Sequence, residues 1–133
     1  MSNPVQIIEV PGWPPPRGYA NGTIGAGPAV HVAGQIGWEL DGTWAHEDLV
    51  GQFGRALDHV LAIVRAAGGE AEHIASMTVY VTDIVDYRAS AHALGPVWRA
   101  RMGRHYPAMA LVAVAALVEP RARVEIQAVA YLP

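Results

Sequence analysis

A chain of 133 residues fits one domain, residues 1–133, with enough interior to fold unaided; with no cysteine it has no disulfide and no thiolate metal site. Hydrophobic residues make up 52% and charged residues only 16%, a balance that points to extra apolar surface hidden between subunits. The net charge of −3 gives no basic footprint for nucleic acid, the N-terminus lacks a signal-peptide pattern, and no apolar run reaches the ~18 residues of a membrane span. The expectation is a cytoplasmic oligomer with no nucleic-acid or membrane partner.

Val5–Val10 reads as a first strand. The Pro-rich "PGWPPPRG", Pro11–Gly18, excludes helix and central strand, because proline fixes φ and lacks a donor. It reads as a rigid surface connection pinned by Trp13. "GAG" at Gly25–Gly27 lacks the spacing of a phosphate loop and reads as a turn. "AVHVAGQI", Ala29–Ile36, is a strand with Gly34 near its end. Asp41–Gly42 is a turn signal, and the residues around Thr43–Trp44 are expected to complete a hairpin.

The period then changes. Leu49, Val50, Phe53, Leu57, Val60, Leu61 and Val64 recur at three- and four-residue steps, one stripe of an amphipathic helix that ends at Gly68–Gly69. "IASMTVYVTDI", Ile74–Ile84, alternates like a strand. Asp86 is expected to cap a second helix running to about Met102, with a kink or break at Pro96. Two strands close the chain, about Ala108–Val118 and Arg123–Tyr131, joined through the turn "EPRA".

The order is β-β-(β)-α-β-α-β-β. Two strand–helix–strand units with right-handed crossovers put both helices on one face of a mixed sheet. In "MALVAVAALV" both alternating sets are apolar, the pattern of a strand buried on both sides. Helices on one face cover only one of them. The second face then requires another copy, sheet against sheet.

The ordered motifs "GYANGT", "VHVAGQIG", "AAGG", "MTVYVTDIVDY", "YPAMALVAVAAL" and "VEIQAVA" resemble the Rid family, also called YjgF, whose best-known branch consists of enamine/imine deaminases. The resemblance covers about residues 17–132. It implies an α+β, chorismate-mutase-like fold and a homotrimer whose sheets form a central barrel with three clefts between subunits. Deaminase-branch members carry an arginine that holds a substrate carboxylate, in a segment matched here by "PAMA". Met109 stands at that position. A thioether makes a soft apolar wall and holds no carboxylate. By the same resemblance, Tyr19 matches a cleft tyrosine and the backbone of Gly34 lines the cleft. Ala33 stands where many relatives have serine. Glu125 matches a glutamate that positions the hydrolytic water. The segment "RARMGRHYPA" is longer than in typical deaminases, which alters the cleft rim.

Each candidate has a plainer reading. Imine hydrolysis needs a water oriented and deprotonated and a leaving nitrogen protonated, and one carboxylate can do both in turn. Glu125 suits that role; its alternative is an ion pair with Arg121 or Arg123. His105, Arg101 and Arg104 lie where they can replace the lost arginine as anion contacts; the alternatives are a surface histidine and a solvated helix end. Trp98, Tyr106 and Trp13 serve either packing or, with Met109, an apolar small-molecule pocket. None of the six histidines is paired at metal-ligand spacing, so no metal and no cofactor is expected. Three functions stand: a hydrolase or deaminase of a small imine or enamine, a non-catalytic small-molecule-binding trimer, and an endoribonuclease or translation inhibitor, which the net charge disfavours.

Overall fold

The computed structural model describes residues 3–133. Strands β1 (Val5–Ile8) and β2 (Gly22–Gly25) form a short antiparallel ribbon. Strands β3 (Ala29–Ile36), β4 (Ile74–Val81), β5 (Ala108–Ala113) and β6 (Val124–Tyr131) form a mixed sheet in the order β3-β6-β4-β5. Helix α1 (Leu49–Ala66) connects β3 to β4, and helix α2 (Ile84–Met102) connects β4 to β5. Because β6 is antiparallel to both β3 and β4, those two run in the same direction, and β4 pairs with β5 in parallel. These are the two strand–helix–strand units expected from the sequence.

Alternation along the strands sorts the two faces. Met77, Val79 and Val81 of β4 and Val124, Ile126, Ala128 and Ala130 of β6 are buried against the helices. From the opposite side of the sheet project Thr78, Tyr80, Glu125 and Gln127, all at least partly exposed. The apolar stripe of α1 is buried as expected, with Leu57, Val60 and Val64 fully closed off. Asp48 caps the helix by accepting the Gly51 N–H at 3.1 Å. The chain leaves it through Gly68 at φ 98°, a backbone state that disfavours any side chain.

Several local expectations are corrected. Strand β2 has no apolar alternation to announce it; it exists because it pairs with β1. The residues around Thr43–Trp44 form no strand. Asp41 and Thr43 close a turn on themselves, the Thr43 hydroxyl donating to Asp41 at 2.7 Å. Asp83, not Asp86, caps α2, accepting the Asp86 N–H at 3.0 Å. Pro96 does not end α2, which runs on to Met102. Pro96 and His92, four residues earlier, are both exposed, so the carbonyl that Pro96 cannot serve is left to water. Trp13 does not pin its loop: it is 61% exposed, beside Ile7, Ile8 and Val10.

The last correction concerns the apolar run. Only Ala108–Ala113 is strand, because β4, its sole partner in the sheet, ends at Val81. Beyond one further bond, from the Val114 N–H to Val81 O, the chain turns away, and Val118 is fully exposed. Strand β6 does not pair with β5; it lies between β3 and β4.

Candidate functional site

Glu125 sits on the sheet face away from the helices, opposite Tyr80 of β4 and Ile36 of β3. Its surroundings follow from a bulge in β3. Between Val32, paired with Ala128, and Gln35, paired with Ile126, two residues, Ala33 and Gly34, stand against the single Gln127. The bulge brings the Gly34 backbone under the glutamate. A Cβ on Gly34 would lie 2.5 Å from Glu125 Oε2, so glycine is the residue that lets the carboxylate rest there. Among the described residues this half-buried carboxylate has no hydrogen-bond or ion-pair partner. Both arginines weighed as its partners are engaged by Glu47. Arg121 pairs with its side chain at 3.2 Å, and Arg123 donates to its backbone carbonyl at 2.5 Å.

A residue with no sequence signal holds that end of β6. Gln52, on the buried side of α1, accepts the Arg123 N–H at 2.8 Å. Its amide donates to Arg121 O at 3.1 Å and to His46 O at 3.3 Å. Buried polar groups require such partners, and for Gln52, in the first turn of α1, they lie at the entry to β6, two residues before Glu125.

Met109 lies on the other side of the sheet. It pairs with buried Met77, so it faces the helix layer, as Leu111 does opposite Val79. There it lines a cavity of about 180 Å³ together with Phe53, Leu94, Trp98, Tyr106 and Leu111. Trp98 and Tyr106 stack with ring centres 5.7 Å apart and planes 7° from parallel. Met109, Trp98 and Tyr106 are therefore brought together, while Glu125, Ala33 and Gly34 form a second group across the sheet. Within one chain the two groups share no cleft.

Residues 14–132 match the family model described as Endoribonuclease L-PSP. The chain belongs to this family, the Rid/YjgF proteins. A RutC family protein from Pyrococcus horikoshii is 29% identical over 95% of this chain and 97% of its own. Among solved structures, E. coli TdcF with bound serine is 31% identical, covers 96% of this chain and 99% of its own, and superposes with a TM-score of 0.70. The Rid family protein YyfB from Yersinia pestis, at 24% identity, shares the fold with a TM-score of 0.83 over 97% of this chain and 99% of its own.

The remaining candidate residues fall as follows. Tyr19 is 42% exposed at the outer edge of β5, carried there by the Ala20 N–H bond to Pro107 O at 2.9 Å and the Ala20–Ala108 bridge. His105 lies away from the cavity wall: Nε2 is 2.7 Å from Ile74 O, and its own carbonyl accepts the Trp98 indole N–H at 3.1 Å. It works as a latch between the loop after α2 and the start of β4. Arg101 holds Asp58 at 2.7 Å, and Arg104 is exposed beyond the end of α2. Among the described residues no three His, Asp or Glu side chains are grouped to hold a metal ion, and no helix is long and apolar enough to cross a membrane. Sequence reasoning missed Tyr80 and Leu111. Both were within reach, since Tyr80 alternates with the buried set of β4, and Leu111 lies two residues beyond Met109 on the same strand face.

Proposed function

We propose that this Rid-family chain hydrolyses a small imine or enamine, with Glu125 as the group that handles the proton. The observation that carries this reading is the unpartnered Glu125 carboxylate over the Ala33–Gly34 bulge, with Arg121 and Arg123 both held by Glu47. A carboxylate so placed orients a water and takes its proton as the oxygen adds to the C=N carbon. It passes that proton to nitrogen to give the carbinolamine, then takes the carbinolamine hydroxyl proton and delivers it to nitrogen as the C–N bond breaks, leaving a carbonyl compound and an amine. An enamine enters the same route after tautomerising. Tyr19 and the Gly34 backbone are the proposed positioning contacts.

The active unit in this reading is a homotrimer with sheets packed into a central barrel and the cleft between copies. Two features support it: Val112 is 43% exposed on the face away from the helices, and Glu125 and Met109 lie on opposite faces, so only a neighbouring copy can complete a cleft that uses both. Light scattering should give three chain masses.

Glu125→Gln keeps size and polarity but removes the base. Turnover of a freshly generated imine, followed by absorbance, should fall at least about a hundredfold, with mass and melting temperature unchanged. Full activity in that variant would place water activation elsewhere. Imines of 2-aminoacrylate type should be poor substrates, since Met109 offers their carboxylate no partner. A second reading, a trimer that binds a small molecule without transforming it, is favoured by the lack of a charged side chain, among the described residues, in the lining of the Met109 cavity. Its signature is binding with no change in imine decay. The net charge of −3 gives no support to an RNA-cleaving role.

A further inference from the structure

The cavity under α2 has a definite origin. Helix α2 packs on α1 and makes few close backbone approaches to β4 and β5. Only Leu94, Trp98 and Met102 of α2 are buried, too thin a stripe to fill the gap above an edge strand. The frame around the gap is held at several points. Asp83 caps the start of α2, Arg101 ties its end to Asp58 of α1, and the Trp98 indole is fixed to His105 O. The space is thus part of the folded state.

We infer that this cavity binds an uncharged, single-ring aromatic group, so that the substrate of the proposed hydrolase is an imine or enamine carrying such a ring and no carboxylate at that end. Four properties select the ligand. The volume, about 180 Å³, suits one ring; an apolar protein cavity of about 150 Å³ accommodates benzene. One wall is aromatic, with Trp98 and Tyr106 stacked on each other and Phe53 tilted against Trp98 at 6.5 Å. Aromatic rings meet such walls by offset stacking or edge-on. Nearby stand Met109 and Leu111, and a thioether packs well at a ring edge.

Charge is the fourth property. Among the described residues no acidic or basic side chain lines the space. Arg101 is committed to Asp58, and Arg99, an exposed residue, rests over Gly95. A carboxylate entering the cavity would lose its water and meet no charged side chain on the lining. Two residues able to make polar contacts with a neutral ligand line the cavity, Tyr87 and Tyr106, and neither hydroxyl is bonded to another group among the described residues. Ring binding stands on the cavity alone; the step from ligand to substrate rests on the hydrolase reading.

The test uses the full chain with methyl-labelled methionine. Benzyl alcohol should shift the Met109 methyl signal saturably, with ring-current displacement, and leave Met77 nearly still. Benzoate should bind at least about tenfold more weakly. Leu111→Trp, which fills the cavity, should abolish the shift. Met109→Gln is the milder companion should Leu111→Trp fail to fold, and should weaken binding several-fold. Separately, decay of N-benzylidene methylamine should be accelerated more than decay of a carboxylate-bearing imine. A silent Met109 methyl, or equal affinity for benzyl alcohol and benzoate, overturns the inference; a neighbouring copy's side chain seated in the cavity gives the first result. Ring binding without accelerated decay removes the hydrolase reading and leaves the binding site standing. Accelerated decay without ring binding does the reverse.

Discussion

Gly34→Ala separates the fold from the site. The added Cβ would stand 2.5 Å from Glu125 Oε2, 2.8 Å from Cδ and 3.0 Å from Cγ, whereas ordinary contact begins near 3.4 Å. The carboxylate must therefore move by about 1 Å, and a misplacement of that size costs roughly a hundredfold in rate. The fold should hardly notice. Gly34 does not have a positive φ, and the obstructing atoms belong to the end of a half-exposed side chain. Alanine also restricts the unfolded chain, a gain of about 0.4–1 kcal/mol that offsets residual crowding. The melting temperature should stay within about 4 °C of the parent while imine turnover drops about a hundredfold. Two results refute the reasoning. Unchanged turnover would mean that the position of Glu125 over the bulge is irrelevant to chemistry. A loss of several kcal/mol in stability would mean that the close approach at Gly34 is structural and the glutamate rigid.

Leu57→Ala removes a fully buried side chain from the centre of α1 and should cost about 3 kcal/mol, read as a lower urea midpoint at unchanged slope. Asp83→Ala should cost about 1 kcal/mol by removing the cap of α2, and Asp86→Ala clearly less; equal losses would reverse the cap assignment. Asp41 is held below its ordinary carboxylate value, first by the Thr43 hydroxyl and then by the Thr43 N–H. A depressed folded-state value means that this turn contributes stability above the ordinary carboxylate range and loses it as pH falls through the depressed value. Thr43→Val should raise the Asp41 titration midpoint in an NMR carboxyl titration, and an unmoved midpoint would count against the bond.

Elements written in one stretch of chain were legible from it. The three- and four-residue spacing from Leu49 to Val64 specifies α1, and the alternation from Met77 to Val81 specifies β4, because each period belongs to one backbone geometry. The methionine of "PAMA" and the glycine of "AGQI" became candidate site positions only through the resemblance to the Rid family; nothing in their residue type alone singles them out. Other features depended on distant partners. Strand β2 exists through β1, β5 stops where β4 stops, and Asp83 took the cap from Asp86 because β4 ends at Val81 and sets where α2 begins. The separation of the site was likewise invisible. Met109 and Glu125 are both on strands, and each alternates with apolar neighbours. Which face each takes depends on pairing register, and a one-residue shift in register reverses the face. The fold pairs Met109 with buried Met77 and Glu125 with partly exposed Tyr80, placing methionine under the helices and glutamate on the far side. Register is set by hydrogen bonds between segments far apart in the chain, so only the tertiary structure decided it.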